Sequence, residues 1–279
     1  MEHAFTLEIK SILQKTFGDI AKTIFEKSLL LNYLNEKTRS AERGSKSRGA
    51  FANLYAIFVL LEDYLKNGFD KKDGYTTEYE GAVFGDLSAR QRQLPFGEKL
   101  QNHALNNRVN AEFLKFFPNS ESIPILRNLD TNRYWFNENL LKIEIENTTY
   151  NIAAVVIQSI DKYIEVKQHL FLDFIKKCEE LQSLKNKSSK EAEDFISSLL
   201  APNVDARLFE IVSYAILKSF YHDQKIYWGF SPEHLQAEQL QLYKTGRTNA
   251  NDGGIDFVMR PLGRFFQVTE TLDFKKYFL

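Results

Sequence analysis

The stretch "DGGIDFVMRPLGRFFQVTE", residues 252–270, decides how this chain is read. "GGIDFVM" and "RFFQVTE" alternate apolar and polar residues on either side of "RPLG", a turn composition, which predicts a β-hairpin. On the first strand Asp256 lies between Ile255 and Phe257, so the period-two rule turns its carboxylate away from the face those two bury. On the second, Gln267 and Thr269 share a face, while Phe266, Val268 and Glu270 take the other. An acid on one strand then faces an amide and a hydroxyl on the next. Such a pair suits a hard cation such as Mg²⁺, which takes one or two protein carboxylates and completes its shell with water and phosphate. That chemistry serves phosphodiester hydrolysis, in which the ion activates water and neutralises charge on the phosphate oxygens.

Working back from the hairpin, "PNVDARLFEIVSYAILKSFYHD" reads as a helix opened by Pro202 and Asn203 and carrying Glu210. "KIYWGF" (225–230) reads as a short strand, and "PEHLQAEQLQLYKTG" (232–246) as a helical insertion. Lys244 and Arg247 lie just before the hairpin, where cations would meet a phosphodiester.

The first two-thirds of the chain is mainly helical. Residues 3–36 carry apolar positions at helical spacing, and "GAFANLYAIFVLLEDYL" (49–65) is apolar all round, which predicts a buried helix. Between them "NEKTRSAERGSKSRG" (35–49) holds Arg39, Arg43, Lys46 and Arg48 among Ser and Gly, either a solvated linker or a phosphate-contacting loop. A turn-rich connector (66–81) leads to "LSARQRQLPFGEKLQNHALNNRVNAEFLKFFP" (87–118), two helical segments divided at Pro95 and Gly97. The second is rich in side chains able to pair with base edges, Asn106 and Arg108 among them, although exposure alone also explains an Asn-rich helix. "LLKIEIENTTYNI" (140–152) predicts a hairpin, and 153–200 reads as helix interrupted near 185–190.

Composition sets few limits. The 36 basic and 37 acidic residues leave a net charge of −1, so a nucleic-acid surface would have to come from local segregation of charge. One cysteine, Cys178, cannot form an internal disulfide, and its helical setting predicts a core or half-buried filler. The first residues lack a signal-peptide pattern and no window is apolar enough to span a membrane, so the expected setting is cytoplasmic.

In the order of its elements, and over roughly residues 203–275, the chain resembles the PD-(D/E)xK nuclease superfamily, and within it the bacterial type II restriction endonucleases. Asp256 stands at the family's Asp position and Gln267 at the Glu/Gln position, while Glu210 matches the Glu that the family often adds from the preceding helix. Thr269 stands where many members have a Lys that orients the attacking water, and Lys244, Lys275 and Lys276 are the candidates to replace it. The resemblance implies an α+β chain in which a mainly helical region, 1–200, serves DNA recognition and dimerisation, and a nuclease core occupies 201–279. It implies Mg²⁺ held by Asp256, Gln267 and the Val268 backbone carbonyl, a homodimer acting on double-stranded DNA, and a cognate methyltransferase protecting the host's sites. Because only "TLDFKKYFL" follows the second catalytic strand, the family's core is expected to be incomplete here. Two alternatives stand beside the restriction enzyme: a catalytically inactive DNA-binding relative, and a repair or junction nuclease of the same superfamily.

Overall fold

The computed structural model of the chain describes residues 2–41, 48–101, 103–183, 188–201, 204, 206–245 and 255–268. Its contacts group into two compact units, Met1–Phe171 and Leu172–Leu279.

The first unit opens with three helices, α1 (Ala4–Phe17), α2 (Ala21–Lys27) and α3 (Leu29–Thr38). Ser28 caps α3 by accepting from the Leu31 amide at 3.1 Å, which satisfies one of the donors every helix start leaves open. The buried helix predicted at 49–65 is α4 (Arg48–Lys66), with no exposed residue from Phe51 to Leu61. The one polar side chain in that run, Asn53, donates to the Tyr33 hydroxyl at 3.2 Å and to Glu112 at 2.6 Å. Those bonds spare its two amide protons the cost of burial without partners, while its Oδ1 is buried with no hydrogen-bond partner among the described residues.

Strand β1 (Ala82–Val83) leads into α5 (Phe84–Gln93), and after a π-helical turn at Ala104–Arg108 comes α6 (Val109–Phe116). β2 (Ile125–Asn128) and β3 (Arg133–Phe136) join β1 in an antiparallel sheet of order β1-β3-β2. The predicted hairpin at 140–152 is β4 (Lys142–Ile145) and β5 (Thr148–Asn151). Its two loop residues, Glu146 and Asn147, both have positive φ, the backbone a two-residue hairpin turn requires. The long helix α7 (Ala153–Gln182) starts in this unit, and its buried Val156, Ile160, Tyr163 and Ile164 join the core built on α4.

The second unit holds the rest of α7, then α8 (Ser189–Ser198) and α9 (Ala206–Tyr221). Leu199, Leu208 and Val212 are buried together against Phe174, Cys178, Phe195 and Ile196, so α8 and the end of α7 pack with α9. The division that the sequence suggests, after residue 200, runs through that cluster. Cys178 is half-buried in it, as expected.

Beyond α9, β6 (Lys225–Trp228) pairs with β7 (Gln236–Gln239), and β8 (Gln241–Lys244), β9 (Phe257–Arg260) and β10 (Arg264–Phe266) form an antiparallel meander of order β10-β9-β8. The helical insertion expected at 232–246 is thus corrected: beyond a 3-10 turn at Pro232–His234 it is two strands. Gln, Glu, Leu and Ala are good helix formers, but Leu240 and Leu242 recur at period two, and both are buried beside Phe257 and Met259. Packing overrides propensity here. Of the hairpin predicted at 253–270, the described residues 255–268 form it, and Gly263, with φ of +71°, supplies the left-handed residue its turn requires.

Candidate functional site

The described candidate residues of the second unit gather at one end of the β8-β9-β10 meander. The last paired row there is Lys244, Phe257 and Phe266, one residue from each strand. Just past it stand Thr245, Asp256 and Gln267. The Asp256 amide donates to the Phe266 carbonyl at 2.9 Å, and the Asp256 carbonyl accepts from the Thr245 amide at 3.0 Å. The Thr245 hydroxyl lies 2.6 Å from the Ile255 carbonyl oxygen and 2.9 Å from that of Asp256, sharing its proton between them. The backbone at Asp256 is therefore held from both neighbouring strands.

The Asp256 carboxylate is held as well. Its Oδ2 accepts from the Val268 amide at 2.8 Å, a charge-assisted bond that ties the acid to the strand carrying Gln267. Asp256 is half-buried and Gln267 is exposed. Thus the structure brings Asp256 and Val268 together, with Gln267 the residue between Val268 and the end of β10.

Glu210 comes to the same end of the sheet from α9. That helix lies on the meander with the Tyr214 ring 5.2 Å from Phe257 and the Tyr221 ring 6.1 Å from Phe266, and the Tyr214 hydroxyl donates to the Leu242 carbonyl at 3.1 Å. One turn before Tyr214, Glu210 meets Lys244 at 2.6 Å. Because Lys244 stands opposite Phe257, the residue after Asp256, this ion pair belongs to the same corner of the fold.

The sequence reading missed Thr245. Read as the end of a helix, it had no reason to meet Asp256; a threonine closing a strand of alternating leucines was the signal.

Two candidates of the first unit, Asn106 and Arg108, have other partners. Asn106 and Arg108 lie in the π-helical turn, where the Asn106 Oδ1 accepts from the Tyr134 hydroxyl at 2.8 Å and Arg108 pairs with Glu112 at 2.8 Å. Arg43, Lys46, Arg247, Thr269, Lys275 and Lys276 lie outside the described residues, as does the side chain of Arg48 at the start of α4.

As donors, the residues at this corner are oxygens: the Asp256 carboxylate, the Gln267 amide oxygen, backbone carbonyls and, at one remove, Glu210. That set fits Mg²⁺, which asks for only one or two carboxylates. Among the described residues no cluster of three or more His, Cys, Asp or Glu side chains is placed to hold a metal ion. Any Mg²⁺ here would thus depend on water and phosphate for most of its shell. No family profile, curated protein or solved structure matches this chain, so the functional reading rests on the site's own residues.

Proposed function

We propose that the chain is a Mg²⁺-dependent endonuclease of double-stranded DNA, of the type II restriction class within the PD-(D/E)xK superfamily. One observation carries the reading: the acid at the head of β9 is tied through its carboxylate to the backbone of the next strand, beside Gln267, on a meander covered by the Glu210 helix. Along the chain the Glu210 helix comes first, then β6, β7 and β8, then the acid at the head of β9 and Gln267 just past β10, which keeps the helix, acid and amide in the order of the resemblance.

Asp256, Gln267 and the Val268 carbonyl would hold the ion, with Glu210 as a further carboxylate. Bound Mg²⁺ supplies water activation and charge neutralisation at the scissile phosphate. The protein's own part is positioning. Thr245 and Val268 fix Asp256, and Lys244, opposite Phe257 in the sheet, is the one of the three candidate lysines that lies among the described residues for the role in which Thr269 lacks a charge. A homodimer on palindromic sites and a protecting methyltransferase belong to the same proposal.

A second reading is a DNA-binding relative that does not cut, favoured by Thr269 at the expected Lys position. Incubation with phage DNA and Mg²⁺ separates the two. Asp256→Asn is the sharper control beside Asp256→Ala, because an amide oxygen can still accept from the Val268 amide while the charge is gone. Discrete fragments, lost in both variants, are the expected result. Retention of DNA without cleavage by the unaltered chain would support the second reading, and fragments persisting in Asp256→Asn would remove Asp256 from the reaction.

A further inference from the structure

We infer that β6 is the two-fold interface of a homodimer: the β6 strands of two copies pair antiparallel about Ile226 and join their ribbons into one sheet. The inference comes from the backbone of the ribbon and does not depend on the nuclease reading, although it supplies the two-fold axis that reading asks for. It puts the dimer contact in the second unit rather than in the helical region 1–200.

The strand has an open edge. Among the described residues β6 pairs with β7 alone. One row beyond the Lys225–Gln239 pair, the Leu240 amide donates to the Gln224 carbonyl at 2.9 Å. Antiparallel rows alternate between bonded and non-bonded pairs, so Gln224, Ile226 and Trp228 turn their backbone groups to β7, whereas Lys225 and Tyr227 turn theirs outward. No described residue bonds to those outward groups. Edge strands are usually blunted by proline, bulges or charge. β6 has neither proline nor bulge, its one charge is Lys225, and Tyr227 is 67% exposed.

The sequence of β6 selects both the occupant and its register. An added strand must bring its own outward-facing groups to those of Lys225 and Tyr227. A second β6 does this with its axis on Lys225, Ile226 or Tyr227. An axis on Lys225 sets two like charges opposite each other, which is unfavourable. An axis on Tyr227 leaves rows only from Ile226 to Trp228, because the next residue, Gly229, lies so close to the His234 carbonyl that a Cβ would meet it at 2.1 Å. With the axis on Ile226 the rows run from Gln224 to Trp228. Each Lys225 then stands opposite a Tyr227 of the other copy, and the two Ile226 residues meet in the close, non-bonded row. Charge and apolar surface are thus both self-complementary, as an isologous contact requires.

Sedimentation velocity of the full chain from about 1 μM to about 1 mM, a span suited to a small interface, is the first measurement. A monomer that gives way to a dimer is expected, and the Lys225 and Tyr227 amides, open in the monomer, should exchange more slowly as it forms. Tyr227→Pro removes an outward amide that the β6–β7 ladder does not use, and should abolish the dimer. Hydrogen exchange at the β7 amides of this variant shows whether the ribbon survives. Cysteine pairs fix the register in a Cys178→Ser background. Twin Ile226→Cys residues, with Cα atoms about 4.5 Å apart, should form a disulfide on mild oxidation; twin Tyr227→Cys residues, on the diagonal and beyond about 7 Å, should not. A chain that stays monomeric throughout overturns the proposal, even if an extended segment of another protein binds there. So does a dimer that persists in Tyr227→Pro with the ribbon intact, a mass that grows past the dimer as β6 adds to β7 of the next copy, or a disulfide at Tyr227→Cys in place of Ile226→Cys. Should Tyr227→Pro lose the ribbon, the cysteine pairs decide. None of these outcomes touches the Asp256→Asn comparison, so the nuclease reading is judged separately.

Discussion

Glu112 is the residue on which the charges of the first unit converge. Arg108 reaches one carboxylate oxygen at 2.8 Å, the Asn53 amide reaches the other at 2.6 Å, and Lys37 pairs with it too. Burial alone would raise its pKa, but hydrogen bonds and charge from Lys37 and Arg108 outweigh burial and hold the carboxyl below its ordinary range. The sign follows by linkage. An acid with a depressed folded pKa stabilises the fold above its unfolded value and loses that contribution as pH falls through the folded one. Glu112→Gln should therefore cost about 1–2 kcal/mol at neutral pH, a partly exposed charged hydrogen-bond set being worth no more. Urea denaturation across pH should show that difference shrinking below about pH 4. A difference constant with pH would mean that the glutamine disturbs packing rather than charge. The same geometry bears on Arg108: a guanidinium committed to Glu112 must leave it before meeting a base or a phosphate.

At the scale of elements, turns show how backbone and side chain divide the work. Gly263 has φ of +71° and a Cβ there would meet nothing within 4 Å, so Gly263→Ala isolates the conformational term. It should destabilise the β9–β10 hairpin by about 1 kcal/mol. Leu262→Ala, at a neighbouring exposed turn position, should change stability by under about 0.5 kcal/mol. Chemical denaturation of the two variants checks this, and equal losses would shift the explanation from backbone to packing. Turn chemistry of this kind is local, which is why both hairpins, 140–152 and 255–268, were legible in the sequence. So was α4, whose apolar run, broken only at Asn53 between Phe51 and Leu61, has one plausible home. β2 and β3 were not, since Ile125 and Leu126 are followed by two polar residues and Tyr134, Trp135 and Phe136 run together, leaving no period-two pattern. β7 and β8 were misread because their composition favours helix, and only burial against Phe257 and Met259 decides otherwise. The candidate site divides along the same line. Asp256 and Gln267 could be found because one hairpin carries both. The Glu210–Lys244 pair and the Thr245 contact depend on where α9 and β8 pack, which no local pattern encodes.

Across the whole molecule, burial is uneven, and this makes a prediction about dynamics. In the first unit a single core runs through α1, α3, α4, the β1-β3-β2 sheet and the start of α7. In the second, Leu240, Leu242, Phe257 and Met259 form one small cluster, and Leu199, Leu208 and Val212 another. The β6–β7 ribbon is the extreme case: of its eight paired residues only Ile226 is not exposed. The loop that joins its strands carries Phe230 fully in solvent, yet is itself tightly made, since a Cβ on Gly229 would meet the His234 carbonyl at 2.1 Å. Amides held by few buried contacts exchange through local opening, whereas those within a large core wait for global unfolding. Hydrogen exchange should therefore find α4 the slowest segment and β6–β7 among the fastest of the paired strands, each unit being judged against its own stability. The comparison has a second use. An isolated two-stranded ribbon is marginal in water, and Tyr227, Trp228 and Phe230 are costly to leave exposed. Slow exchange in β6–β7 that becomes slower still as protein concentration rises would show that another copy covers the ribbon. Slow exchange independent of concentration would instead mean that the ribbon is covered within its own chain.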